Sequence, residues 1–327
     1  MDAPPRTQQP SASPRGKGRI LVVRGGALGD FILTLPALSA LRRAFPGTHL
    51  EVLAYPRPAQ LALDAGIVDA TRALESRGLA GFFARKGALD PAWSDYFASF
   101  NVVVSYLYDP DHHFRDNVGR VSRAQFLEGP HRPEEPSAMH ASQQLLRPLE
   151  RLAIFDADPL PRLAVLGGGE VMAAGARRRL VAHPGSGGRH KNWPEERWRR
   201  LLELLEAAGD VDVDLVGGEA EAERLPGLAR GLGSVRCVVS EPLPMLARRM
   251  SGASLFVGHD SGVTHLAAAM DVRGLVLWGP TCEAVWRPRS ERFVCLHHAQ
   301  GLEGLPVDVV ERCIRDMLDR GATPAGI

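Results

Sequence analysis

The sequence predicts an α/β protein built of two similar halves, each with a parallel sheet and helices on its faces. Short runs such as 19–24 and 179–183 are mostly apolar, as in parallel strands that are buried on both sides. Each run leads into a glycine-rich or polar turn and then into a segment whose apolar residues recur at helical spacing. The length of 327 residues accommodates two domains of about 150 residues each.

The first domain is predicted to span residues 19–166. It follows a segment, 1–18, that is rich in Pro, Ser, Gln and Arg and lacks the apolar block of a secretory signal, so we expect a disordered tail there. Residues 58–100 are predicted to be helices and loops. The predicted elements are strands at 19–24, 49–54 and 101–107 and helices at 31–45 and 137–154. Strand 19–24, helix 31–45 and strand 49–54 form a right-handed βαβ unit.

A second domain, 179–327, is predicted to repeat this architecture after a linker, 167–178, that is rich in Gly, Ala and Arg. One helix is expected to begin directly after Pro194, because a missing amide costs nothing at a helix start. The predicted strands lie at 179–183, 211–216, 235–239, 253–257 and 273–278, and the predicted helices at 195–208, 225–232, 242–250 and 309–320.

Composition excludes several classes of protein. The formal net charge of +1 gives no support for a nucleic-acid-binding protein, which usually carries a basic surplus. The four cysteines have no C-x-x-C spacing and are expected to be reduced thiols in a cytoplasmic protein. No apolar stretch is long enough for a membrane-spanning helix.

The stretch from Val257 to Met270 is the strongest candidate for a ligand site. An apolar strand ends here, the polar turn His259-Asp260-Ser261-Gly262 follows, and a helix-forming run begins. Free amides in the first turn of a helix attract anions, and the small residues allow close approach, so we expect a phosphate site. Alternatively, Asp260 or Ser261 simply caps a core helix.

Three other sequence patterns suggest a cofactor, substrate or metal site but can also be explained without one. A dinucleotide fingerprint starting at Gly25 would need glycine at 27 and 30, where Ala27 and Asp30 stand, so a nicotinamide cofactor is disfavoured. The loop 109–116 holds two His and three Asp without a zinc or calcium spacing, and is either a substrate-facing loop or plain surface. Asp212 and Asp214 lie inside a predicted strand, and we discount them as metal ligands.

Four motifs taken together resemble glycosyltransferase family 9, whose best-known members are the ADP-heptose:lipopolysaccharide heptosyltransferases. They occur in family order and span residues 19 to about 290. The motifs are Gly29-Asp30 within 28–38, His183-Pro184-Gly185-Ser186 with Lys191-Asn192-Trp193-Pro194, Gly217-Gly218 with Glu221, and Asp260 to Ala269 with Gly279-Pro280-Thr281.

The resemblance implies a GT-B fold, in which two Rossmann-like domains face each other across a cleft. The first would bind the acceptor and the second the nucleotide-sugar, in an inverting reaction without metal or other cofactor. Asp30 matches the family's general base, although it could instead cap the following helix. Lys191, Ser186 and the amides of residues 261–264 would stabilise the departing diphosphate. The alternative for Lys191 is a solvated loop lysine.

The remaining site residues are also assigned from the resemblance. Glu221 would accept hydrogen bonds from the ribose hydroxyls, unless it is a solvated charge at a helix start. His265 either contacts the donor or is a satisfied helix histidine. The complete donor-binding set is His183, Gly185, Ser186, Lys191, Glu221, Asp260, Ser261, Gly262, Val263, Thr264 and His265, and the acceptor-side set is Gly29, Asp109, Asp111 and His112.

The expected partners are ADP-heptose as donor and a glycan or glycolipid as acceptor. A lipid-linked acceptor would bring the protein to the inner face of the cell membrane as a peripheral protein. Anionic lipid would then attract Arg42, Arg43, Arg57 and the tail residues Arg6, Arg15 and Lys17. The rival interpretations are a nucleotide-sugar epimerase of the same fold, a non-catalytic nucleotide-sugar-binding protein and an NAD-dependent oxidoreductase.

Overall fold

A computed structural model describes residues 18–163 and 177–319. It contains two parallel sheets, one of five strands and one of six. The predicted tail, apart from Gly18, and residues 167–176 of the predicted linker lie outside the described residues. No helix in the two described segments is long and apolar enough to cross a membrane.

The first sheet has the strand order β3-β2-β1-β4-β5. Ile20 to Val23 of its central strand are almost completely buried, because helices cover both faces of the sheet. The strands are β1 (Arg19–Arg24), β2 (His49–Ala54), β3 (Ala70–Ala73), β4 (Val102–Tyr106) and β5 (Gln125–Glu128), and the helices are α1 (Leu28–Ala44), α2 (Pro56–Asp64), α3 (Pro91–Ala98), α4 (His113–Val121) and α5 (Ala141–Leu146), with 3-10 helices at Arg77–Phe83, Glu135–Ser137 and Arg147–Leu152.

The second sheet has the order β11-β10-β9-β6-β7-β8. Its strands are β6 (Arg178–His183), β7 (Val211–Gly217), β8 (Val235–Val239), β9 (Leu255–His259), β10 (Gly274–Leu277) and β11 (Phe293–Leu296). Its helices are α6 (Glu195–Ala208), α7 (Leu225–Ala229), α8 (Leu243–Ser251), α9 (Gly262–Ala269), α10 (Glu283–Trp286) and α11 (Val307–Asp319), with 3-10 helices at Arg189–Lys191, Glu219–Glu221 and Leu302–Gly304.

The two halves meet through helices α1 and α9, which pack against each other. One cluster of buried apolar side chains includes residues of both halves, such as Leu35 and Leu266. The N-terminal ends of the two helices approach so closely that a Cβ atom on Gly262 would lie 2.7 Å from the backbone nitrogen of Gly29. The carboxyl ends of β1 and β9 therefore open onto one shared cleft.

The structure confirms the predicted strand and helix types with shifted bounds. Helix 195–208 is found as predicted, whereas α1 begins at Leu28 and β9 ends two residues later than expected. The predicted helix 137–154 is short and continues as a 3-10 helix, because Pro148 has no amide to donate. The predictions missed β3, β5 and β11, whose four residues each are too few for a clear pattern.

Candidate active site in the interdomain cleft

Two adjoining cavities lie where the two halves meet. The larger, which we call the central cavity, has a volume of about 620 Å³ and is lined by Asp30 from the first half and by Lys191, Asp260 and His265 from the second. The smaller, which we call the nucleotide cavity, has a volume of about 440 Å³. Both lie at the carboxyl ends of parallel strands, where α/β proteins bind ligands.

Asp30 stands in the first turn of α1 and faces the central cavity with its carboxylate about one-third exposed. Its Oδ2 accepts a hydrogen bond of 2.9 Å from the amide of Ala27, the residue that precedes the helix. Gly26 has a φ of +92°, and a Cβ there would lie 2.5 Å from that same oxygen. The glycine turn therefore exists partly to make room for Asp30, which both stabilises the helix start and lines the cavity.

Arg24, at the end of β1, is a site residue that the sequence analysis missed. Its guanidinium is 2% exposed and its Nη2 lies 3.3 Å from Oδ1 of Asp30. It also donates to the carbonyls of Tyr106 and His131. Burial lowers the pKa of this guanidinium, and the Asp30 carboxylate opposes that shift. A charged residue at the end of an apolar strand, directly before the glycine turn, was the available signal.

Lys191 is paired inside the protein. Its Nζ donates to Oδ2 of Asp260 over 2.9 Å, and the hydroxyl of Thr281 donates to the same oxygen over 2.8 Å. The alternative that Lys191 is a solvated loop lysine is wrong, since its side chain is only 26% exposed. Asp260 thus sets the position of the ammonium group on the wall of the central cavity.

The start of α9 forms the boundary between the two cavities. Ser261 caps the helix, and its hydroxyl accepts from the amide of Thr264 while lying 3.3 Å from Nδ1 of His183. The amides of Gly262 and Val263 lie in the first helical turn, where an α-helix offers no partner. Ser261, Gly262 and Val263 line the nucleotide cavity, and the anion site expected at this helix start stays a prediction.

Thr264 does not belong to this set. Its amide is satisfied by Ser261, its hydroxyl donates to the carbonyl of His259, and its side chain is fully buried. It fixes the turn between β9 and α9 and lines neither cavity.

Glu221 lies on the wall of the nucleotide cavity and is 8% exposed, so the interpretation as a solvated charge is wrong. Its Oε2 accepts from the amide of Gly218, and its Oε1 lies 3.5 Å from Arg224. A Cβ at Gly185 would lie 2.5 Å from Oε1. Gly185 therefore serves the site by giving this carboxylate room. Ser186 lines the same cavity, and its hydroxyl donates to the carbonyl of Gly188.

Three buried histidines support the two cavities from the second half. Burial lowers the pKa of His183 to about 4, of His265 to about 4 and of His259 to about 3. His265 lines the central cavity, and its lowered pKa favours a neutral imidazole there over a cation at physiological pH. His259 accepts from the amide of Trp193 and thereby ties the loop that carries Lys191 to β9.

The far wall of the nucleotide cavity is apolar, with Val216, Val238, Leu243 and Leu246. An apolar wall beside a carboxylate and a helix N-terminus matches the three parts of a nucleoside diphosphate: the base, the ribose and the phosphates.

Three of the predicted acceptor-side residues are not brought to the cleft. Asp109 accepts from the amides of Phe114 and Arg115 and so caps α4, whereas His112 pairs with Glu128. Asp109, Asp111 and His112 line neither of the two cavities. For Asp109 the reason is that its carboxylate caps the start of α4. Gly29 does line both cavities. The part of the central cavity wall that comes from the first half includes instead Tyr55, Tyr108, His131 and Arg132.

The other candidate patterns have structural partners. Asp214 is buried against Arg249 at 2.9 Å, and Asp212 pairs with Arg177 at 3.4 Å. Glu51 of β2 accepts from the hydroxyl of Tyr96 and pairs with Arg19. Within residues 18–163 and 177–319, no group of three or more His, Cys, Asp or Glu is arranged to hold a metal ion.

Comparison with known proteins gives consistent matches. The sequence model of the family described as glycosyltransferase family 9 (heptosyltransferase) matches residues 151–303. Lipopolysaccharide heptosyltransferase 1 of Escherichia coli O18:K1:H7 is 32% identical over 134 residues, which cover 40% of this chain and only 41% of that protein. The enzyme of the same name from Pseudomonas aeruginosa is 29% identical over 301 residues, covering 80% of this chain and 79% of that one.

The solved structure of E. coli heptosyltransferase WaaC with ADP superposes with a TM-score of 0.71 at 22% identity, covering 91% of this chain and 99% of that chain. The two parallel α/β domains that meet across a cleft are the GT-B architecture of glycosyltransferases. The ordered motifs and the relatives make the assignment more specific. By sequence, the chain is similar to glycosyltransferase family 9.

Proposed function

We propose that this protein transfers a heptose from ADP-heptose to a lipopolysaccharide-type acceptor, with inversion at the anomeric carbon and without a metal ion. The observation that carries the proposal is the placement of Asp30 and the Lys191–Asp260 pair on one cavity that adjoins a nucleotide-sized cavity. The names of the relatives from E. coli and P. aeruginosa support a heptose donor and a lipopolysaccharide acceptor.

In the proposed reaction, an acceptor hydroxyl lies in the central cavity beside Asp30. The hydroxyl oxygen bonds to the anomeric carbon of the donor sugar while the bond from that carbon to the diphosphate breaks, and the proton passes to the Asp30 carboxylate. Asp30 comes from the first half, and the helix terminus at Gly262 comes from the second. Attack and departure from opposite sides of the sugar would invert the configuration at the anomeric carbon.

The departing diphosphate carries growing negative charge. We assign its stabilisation to the first-turn amides of α9 and to Lys191, whose ammonium is held by Asp260. Glu221 would accept hydrogen bonds from the ribose, and the apolar wall around Leu243 and Leu246 would contact the base. These groups supply the electrostatic stabilisation that a metal ion gives in other enzymes, and the metal-independent mechanism rests on them.

The proposed place of action is the inner face of the cell membrane, reached from the cytoplasm, because the acceptor class is lipid-linked. The acceptor side of the cleft, formed by Tyr55, Tyr108, His131 and Arg132, would receive the sugar end of that lipid. A polar and aromatic wall suits sugar rings, whose hydroxyl edges and apolar faces need both kinds of contact.

The test is transfer by the purified protein with ADP-heptose and a heptose-free lipopolysaccharide acceptor in excess EDTA. We expect a heptosylated acceptor of inverted anomeric configuration and stoichiometric ADP, with the rate unchanged by the chelator. A requirement for added magnesium or manganese would contradict the metal-independent mechanism. Release of free sugar and ADP at the same rate with and without acceptor would favour the epimerase alternative.

A further inference from the structure

Arg57, a residue of the first half of the protein, lines the nucleotide cavity. It is the second residue of α2, in the first half, whereas most of the cavity wall comes from the second half. Its side chain is 60% exposed, and its Nη1 lies 3.9 Å from Oε1 of Glu219 across the domain boundary. Glu219 is itself 86% exposed, so this pair is weak and open to exchange.

The position of Arg57 is not explained by the stability of its own helix. A cation in the first turn of an α-helix faces the positive end of the helix dipole, which is unfavourable. Pro56 and the extended backbone of Tyr55 already define the helix start, without a side-chain cap. An arginine here is therefore better explained by a negatively charged partner outside the helix.

Few of the described side chains offer a positive charge to a diphosphate in the nucleotide cavity. Arg57 is the only Lys or Arg on the cavity wall among the side chains that the structure describes. The carboxylates of Glu221 and Glu241 also line it, each with an arginine partner behind the wall, Arg224 and Arg249. Lys191 in the neighbouring cavity is paired with Asp260. Without Arg57, the proposed ligands of the phosphates would be the partial charge at the start of α9 and Lys191, whose charge is partly offset by Asp260.

The backbone that carries Arg57 is held against the second half. Helix α2 packs on α8, where Leu61 faces Ala247 and Met270 across a small gap. Only the long side chain of Arg57 has to turn in order to leave Glu219 and reach the phosphates. A planar guanidinium suits this role, because it can bind two phosphate oxygens at once.

We propose that Arg57 is a donor-binding residue supplied by the acceptor-side domain, which exchanges its partner Glu219 for the diphosphate of the bound nucleotide. The inference rests on the proposed function, in that the donor is a nucleoside diphosphate sugar. It assigns to the first half a direct contact with the donor, so that donor binding strengthens the contact between the two halves.

The test compares dissociation constants for ADP and for adenosine by calorimetry in the wild type, Arg57→Gln and Arg57→Lys. We expect Arg57→Gln to weaken ADP binding about tenfold while adenosine binding stays the same, because a charge-assisted hydrogen bond to phosphate is lost. Arg57→Lys should retain part of the ADP affinity. Arg151→Gln is the matched control, since Arg151 is exposed in the same half and lines neither cavity.

Glu219→Gln gives a prediction of opposite sign. It removes the competing carboxylate, so ADP should bind at least as tightly as to the wild type. Weaker ADP binding in Glu219→Gln, or equal affinity of Arg57→Gln and wild type for ADP, would overturn the inference while leaving the proposed function intact. If the wild type binds UDP in place of ADP, the proposed donor is wrong and the Arg57 comparison is made with UDP. Absence of any nucleotide binding would overturn both.

Discussion

Asp30 holds its carboxylate between the amide of Ala27 and the buried guanidinium of Arg24. The two sequence-based alternatives for this residue, a catalytic base and a helix cap, are therefore not exclusive. One oxygen stabilises the helix start while the group as a whole faces the central cavity. Arg24 reaches across to the carbonyl of His131 and so links the position of Asp30 to the acceptor side.

Asp30→Asn should lower turnover by a factor on the order of 100 or more, because an amide cannot accept the proton of the acceptor hydroxyl. Affinity for ADP should stay nearly unchanged, since Asp30 does not line the nucleotide cavity. The measurements are steady-state transfer rates and ADP binding on the same preparation.

The matched control for this substitution is Asp90→Asn. Asp90 caps α3 by accepting from the amide of Trp93, and it lines neither cavity. It should change the melting temperature slightly and leave turnover alone. If Asp30→Asn behaves like Asp90→Asn, then Asp30 is a cap and the proposed mechanism is wrong.

At the scale of elements, β6, β9 and α9 share three buried histidines: His183, His259 and His265. Desolvation lowers the pKa of each to between about 3 and about 4, compared with about 6.5 in an unfolded chain. At a pH between the folded-state pKa and the unfolded-state pKa of a histidine, the unfolded state binds a proton that the folded state does not. The free energy of unfolding should therefore fall as pH falls below about 6.5.

Each histidine contributes at most about 1.4 kcal/mol per pH unit to this slope. Urea unfolding between pH 7 and pH 5 measures it, in a window where most carboxylates remain ionised. His183→Gln removes one of the titrating groups. It should make the dependence of the free energy of unfolding on pH shallower, by the equivalent of up to one proton bound on unfolding. A free energy of unfolding that stays constant over this window would contradict the buried neutral state of these histidines.

At the scale of the whole molecule, the two halves are joined by more than their apolar core. Trp286 of the second half donates to Glu135 of the first over 2.8 Å, and His140 of the first lies 2.8 Å from the carbonyl oxygen of Arg287. Glu135 and Trp286 line the central cavity, whereas His140 and Arg287 do not. Together with the packing of α1 on α9, these contacts hold together the two halves that carry Asp30 and Gly262.

The structure changes the set of residues available for a membrane surface. Arg42 donates to the carbonyls of Ile67 and Thr48 and pairs with Asp69, and Arg57 faces the nucleotide cavity. Arg43 is exposed and is not among the residues that line the nucleotide cavity, so it is the arginine of the first half that we select for a test.

We expect the full chain to co-sediment with phosphatidylglycerol vesicles at low salt and to dissociate as salt rises, because each cation near a charged surface contributes only about 1 kcal/mol. A chain starting at Gly18 should bind these vesicles more weakly, and the Arg43→Glu substitution in that chain should weaken the binding further. Phosphatidylcholine vesicles are the control. If the full chain fails to bind anionic vesicles at low salt, a glycan acceptor without a lipid becomes the better proposal.

Local sequence determined the alternation of strands and helices, the glycine turn before Asp30 and the helix start at Gly262. These features depend on side-chain periodicity and on backbone freedom within a few neighbouring residues. The short strands β3, β5 and β11 escaped prediction because they form through pairing with neighbours that are distant in the chain.

Tertiary structure alone decided which side chains meet. Arg24 reaches the carbonyl of His131, which is 107 positions away, and Lys191 pairs with Asp260, which is 69 positions away. Parallel strands with crossover connections gather their carboxyl ends at one edge, so loops that are remote in sequence become neighbours there. Asp109 shows the converse: its polar loop looked like a ligand site, but the carboxylate was needed to cap α4, and only packing could distinguish the two uses.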